Sequence, residues 1–153
     1  MKLALLLLPV LALAQETAPP VEMNAAEKAF QDPMVNVKLV GYYQMGESSE
    51  LHDDSYTIVR VSKVKEDTWK FEARITYNKK EFPIAMNFPV KFAGDTPVIS
   101  LTNFTVPGFG AFTARVVLYN GTYAGTWSSA GTGPVHGGTM FGKIVKNEPA
   151  AQQ

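Results

Sequence analysis

The chain reads as an all-β protein: about eight antiparallel strands in an up-and-down meander that closes into a barrel, with a short N-terminal helix ahead of them. Three observations carry that expectation. Two runs of strict period-2 alternation lie on either side of a polar turn: Trp69, Phe71, Ala73, Ile75 and Tyr77 share one face, then Phe82, Ile84, Met86, Phe88, Val90 and Phe92. Such alternation marks sheet with one wet face. Asn120-Gly121, set between β-rich runs, calls for a type I′ hairpin turn, because both central residues there take positive φ. No stretch beyond residue 34 is long enough or has the right period for a crossover helix. Eight meander strands remove their edges best by closing on themselves. A two-sheet sandwich is the alternative, favoured if Pro83 and Pro89 mark an edge.

The first 14 residues pair Lys2 with an apolar run, Leu3 to Leu13, and end Ala12-Leu13-Ala14, the pattern of a cleaved secretory signal peptide. Residues 15–34 divide into a tether carrying Pro19-Pro20 and a short helix. Asn24 is its N-cap, Glu27 stands three residues on, and Asp32-Pro33 ends it. Met23, Ala26 and Phe30 form its apolar face, and a helix this short needs packing to persist. The barrel spans 35–146. Val35, Val37, Leu39, Gly41, Tyr43 and Met45 share the first strand's inward face, and residues 46–54, GESSELHDD, read as a polar turn. Tyr56 to Lys65, Trp69 to Tyr77 and Phe82 to Phe92 follow, the last two joined by the turn Asn78 to Glu81. Then come Val98 to Phe104, Phe112 to Tyr119, residues 122–128 and Gly138 to Lys146. Residues 147–153 form a polar tail, read as disordered.

Loss of the leader takes Lys2 from the 14 basic residues and leaves them one short of the 14 acidic, a net charge of −1. That balance gives no electrostatic case for a nucleic-acid partner or an anionic membrane. With no cysteine, disulfides, iron–sulfur clusters and cysteine zinc sites are excluded. The 11-residue apolar run of the leader is too short to span a bilayer and no second one follows, so the chain is expected not to span a membrane. The expected location is outside the cytoplasm, periplasmic or extracellular, in a bacterial host.

The outline of signal peptide, short helix and eight meander strands resembles the calycin superfamily of lipocalins and avidins. Where lipocalins begin their first strand with Gly-X-Trp, this chain has Gly41-Tyr42-Tyr43. The run Gly121-Thr122-Tyr123-Ala124-Gly125-Thr126-Trp127 is similar to an avidin segment in which a glycine turn leads into Gly-Thr-aromatic, but it lies near the end of the chain, not the start. No biotin-binding residue carries over. The same Gly-Thr-Trp, followed by Gly-Gly and Phe-Gly, resembles the ends of uncharacterised exported bacterial β proteins.

The chemical motifs are sparse. Gly137 to Lys143 has phosphate-loop spacing, but Ile144 stands where Ser or Thr should follow, and strand residues come next where a helix should begin. His52, Asp53 and Asp54 are three potential metal ligands, but neighbours on a strand point to opposite faces, and a solvated turn is the simpler reading. His136 and Ser128–Ser129 lack a nucleophile turn and an orienting acid. The expectation is therefore a non-catalytic binding protein, with no metal and no cofactor, that holds a small apolar or amphipathic ligand inside the barrel. Tyr43, Trp69, Tyr123 and Trp127 would line the site, and Arg115 would either point outward or fix a polar group of the ligand. The alternative is a structural module with a solid core that binds a protein partner through a sheet edge or the 129–138 loop.

Overall fold

The computed structural model describes residues 20–77, 80–130 and 136–148. The expected signal peptide, residues 15–19 of the expected tether, Asn78–Lys79, residues 131–135 and residues 149–153 of the expected tail lie outside them. A helix, α1 (Ala25–Gln31), precedes eight strands: β1 (Val35–Tyr43), β2 (His52–Lys65), β3 (Thr68–Tyr77), β4 (Lys80–Ala93), β5 (Thr96–Val106), β6 (Gly110–Tyr119), β7 (Thr122–Ala130) and β8 (His136–Lys146). Every strand pairs antiparallel with its neighbour in sequence, and β8 pairs with β1, so the sheet is a closed eight-stranded barrel, compatible with a calycin-like architecture.

Local chemistry accounts for the elements. Asn120 and Gly121 have φ of 48° and 71°, the type I′ geometry that feeds β6 directly into β7. The Asn24 side chain accepts from the Glu27 amide, and the Glu27 carboxylate accepts from the Asn24 amide, each at 2.9 Å, a complete capping box. At the β1–β8 closure, Asn36 and Asn147 exchange three hydrogen bonds of 3.0–3.1 Å.

Two boundaries differ from the sequence expectation. Asn36 has φ of 51°, which breaks the alternation and turns Val35 outward, so the inward row of β1 is Val37, Leu39, Gly41 and Tyr43. The polar turn ends at Leu51, and His52, Asp53 and Asp54 already belong to β2, paired with Tyr43, Tyr42 and Gly41. Pairing with β1 out to its last residue, Tyr43, carries β2 through these polar residues.

The core is asymmetric along the barrel. At one end α1 lies across the opening: Phe30 packs edge-on to Trp69, with ring centroids 5.0 Å apart, and also meets Phe71 and Phe92. Lys63 fastens the helix there, bonding Glu27 at 2.6 Å and the Glu22 carbonyl at 3.2 Å, while its amide donates to Gln31 at 2.9 Å. Val37, Ile58, Val61, Trp69, Val90 and Leu118 are buried at this end. At the other end the inward residues Tyr43, His52, Asp54, Ile84, Phe88, Phe104 and Trp127 are only partly buried, and Phe82 is exposed.

The wall is also uneven. β4 and β5 pair only over Val90–Ala93 and Thr96–Ile99, next to their turn, and nearer the helix-free end the two strands part. Pro89 stands where that ladder stops. The Val90 amide donates to the Asp67 carbonyl on the β3 side (2.8 Å), so alternation aims the backbone nitrogens of residues 89 and 83 at the open flank. There a missing N–H costs the ladder nothing. The prolines do mark an edge, within a barrel and not a sandwich.

Candidate functional site

Three register pairs build the site. Tyr123 on β7 lies opposite Gly142 on β8, Gly142 opposite Gly41 on β1, and Gly41 opposite Asp54 on β2. All four positions face inward. The two glycines leave a trough across the β8–β1 closure, and the Tyr123 ring lies in it. A Cβ on Gly142 would come within 2.7 Å of the ring, and one on Gly41 within 2.7 Å of the hydroxyl. Tyr123 is thereby 1% exposed, and its hydroxyl is carried toward the Asp54 side of the barrel.

Neither polar group is fully satisfied. The Tyr123 hydroxyl and Asp54 Oδ2 are buried and have no hydrogen-bond partner among the described residues. Burial pushes the Asp54 carboxyl above its usual range, against hydrogen bonds from the Tyr56 hydroxyl and the Ser55 amide. Burial and then the Asp54 charge push the Tyr123 phenol up to about 12. Tyr56, two residues along the same inward row, is raised by the same two causes in the same order.

The next inward row toward the helix-free end is aromatic. Tyr43 stacks on His52 with ring centroids 5.0 Å apart, and meets Trp127 edge-on at 6.0 Å. Met140 completes the row beside Tyr43, and Trp127 Nε1 is a third buried polar atom with no partner. Across the barrel, Phe88 packs on Phe71 and, edge-on at 5.1 Å, on Phe104, bridging the place where β4 and β5 part.

The five residues expected to line a site are therefore split. Tyr43, Tyr123 and Trp127 come together on the β7–β8–β1 wall. Trp69 stands at the helix end, wholly buried against Phe30, and belongs to the plug. Arg115 takes the outward of its two orientations: its guanidinium bonds the Leu101 and Ala114 carbonyls and the Thr102 hydroxyl (2.9 Å), bracing the irregular stretch of β5 between Leu101 and Phe104. Asp54, Tyr56 and His52 join the cluster without having been singled out as ligand contacts. Among the described residues no three His, Asp or Glu side chains are placed to hold a metal ion. The Gly137–Lys143 segment is strand, paired with both β7 and β1, and presents no helix N-terminus to a phosphate.

Two open hollows lie elsewhere, at the helix end. One, of about 210 Å³, separates Phe30 and Met34 from Pro97, Leu118 and Gly121; the other, of about 220 Å³, lies beside Met34, Val37 and Val145. The three unpartnered atoms of the Asp54 wall lie in neither lining. No protein-family model matches the chain, and no curated protein matches it.

Proposed function

We propose that the protein is an exported, non-catalytic carrier that takes a small apolar or amphipathic molecule into the helix-free end of its barrel. The observation that carries this reading is the asymmetry of the inner face. One end is covered by α1 over buried apolar side chains, with two open hollows beside it and one unpartnered atom, Trp69 Nε1, while the other keeps Tyr43, Trp127 and Phe88 partly accessible beside three buried polar atoms that the fold leaves unpartnered. A few convergent polar groups among apolar and aromatic walls is the usual make-up of a small-molecule site. The calycin-like architecture and the Gly121–Trp127 likeness point the same way. The barrel works in water in this reading: the middle of β3 carries Lys70, Glu72 and Arg74 outward, where a bilayer-spanning barrel would be apolar. Among the described residues no helix is long and apolar enough to cross a membrane.

The two tryptophans supply the test. With Trp69→Phe the remaining indole, Trp127, is expected to shift its emission to the blue or be quenched as members of a lipophilic panel bind. Trp127→Ala should abolish that response while the circular dichroism of the barrel is kept. A panel that leaves Trp127 emission unchanged rejects the reading. It would favour an interaction module, for which the outward row Val117, Ala124, Phe141 and Tyr42 is the supporting observation: all but Ala124 are about 40% exposed.

A further inference from the structure

Packing does not account for the polar groups of the Tyr123–Gly142–Gly41–Asp54 row. A phenylalanine at 123 would fill the same trough without burying a hydroxyl, and an apolar residue at 54 would spare the barrel a carboxylate. Each buried polar atom without a partner is a cost to the fold. Asp54 has no ion pair among the described residues; the ion pairs there join Lys63 to Glu27, Arg60 and Lys70 to Glu72, and Lys91 to Asp67. The wall therefore presents an acceptor, Asp54 Oδ2, next to a hydroxyl that can also accept, in surroundings that strengthen any charge-assisted bond made there. Beyond it stand the π faces of Tyr43 and Trp127, which favour a cation near them. On the far wall, at the parting of β4 and β5, Phe88 and Phe104 are apolar.

Building on the binding reading, we infer that the ligand is an amphipathic amine. Its protonated nitrogen donates to Asp54 Oδ2 and the Tyr123 hydroxyl, and its hydrocarbon body lies across the barrel toward Phe88 and Phe104. A carboxylate of the same length is disfavoured, because its charge would face that of Asp54. An alcohol gains one neutral hydrogen bond and no charge pairing.

The experiment is calorimetric titration of the full chain at pH 7 with octylammonium, octanol and octanoate, each below its micelle-forming concentration. Octylammonium is expected to bind at least about tenfold tighter than either of the others, the difference a charge-assisted bond supplies. Asp54→Asn, nearly isosteric, should erase that gap and leave octanol affinity within about twofold. Equal affinities in the wild type, a preference for octanoate, or a gap that survives Asp54→Asn overturns amine recognition while the pocket stands. Failure of all three ligands to bind overturns the pocket as well. Should Asp54→Asn not fold, the wild-type ranking decides alone.

Discussion

Two tightly constrained residues are Gly41 and Gly142. Any side chain at 41 would strike the Phe141 carbonyl and the Tyr123 hydroxyl, and one at 142 the Val40 carbonyl and the Tyr123 ring. Their lack of a Cβ is what lets β1 and β8 close with a tyrosine lying across the seam. Gly41→Ala is accordingly expected to cost about 1–3 kcal/mol by overpacking, read as a lowered melting temperature. Gly46→Ala is a useful contrast: a Cβ there would meet nothing within 4 Å, so its cost is confined to the φ of 56°. Sequence reasoning reached Tyr43, Tyr123 and Trp127 because alternation alone aims large rings inward. It missed Asp54 because polarity is the usual sign of a turn, and HDD followed a run of polar residues. The available signal was register: His52, Asp54, Tyr56 and Ile58 alternate, so extending the β2 pattern backward from Ile58 places the carboxylate inside.

At the scale of the element, α1 is held by two different devices. The Asn24–Glu27 box is written in four residues of sequence and was legible there. The Lys63–Glu27 pair was not, since it joins residues 36 apart and depends on Lys63 falling on an inward position at the barrel end. The two devices share one carboxylate: Glu27 takes the Asn24 amide on Oε2 and Lys63 on Oε1. The hydrogen bond from Lys63, with the Asn24 amide behind it, holds the Glu27 carboxyl below the ordinary 4.5. A depressed carboxyl stabilises the docked helix fully above that ordinary value, and the stabilisation fades as pH falls through the lower, folded one. Acidification from pH 5 to 3 should therefore loosen α1 from Trp69, seen as a red shift of emission in a Trp127→Phe background. Glu27→Gln should remove that step and weaken docking at neutral pH. Asn24→Ala should cost about 1 kcal/mol at any pH in which Glu27 stays ionised.

For the molecule as a whole, the strand count and the meander were readable because each strand is amphipathic and each turn short. Closure was reached only through the argument that a meander removes its edges, since the β8–β1 pairing joins positions about a hundred residues apart and leaves no local mark. The prolines pulled the reading toward a sandwich, yet the edge they signal is half a strand long. That half-edge has a consequence for how copies of the protein behave at high concentration. An unpaired strand flank is a template on which a second chain can add its own strand, and a third after it. Pro83 and Pro89 leave two blanks, six residues apart, on the flank where an incoming strand would look for donors. Replacing both with threonine fills the blanks without touching the core. Light scattering should then find the double variant growing into larger assemblies under conditions where the wild type does not, which would make these two rings the protein's guard against polymerising through its own wall.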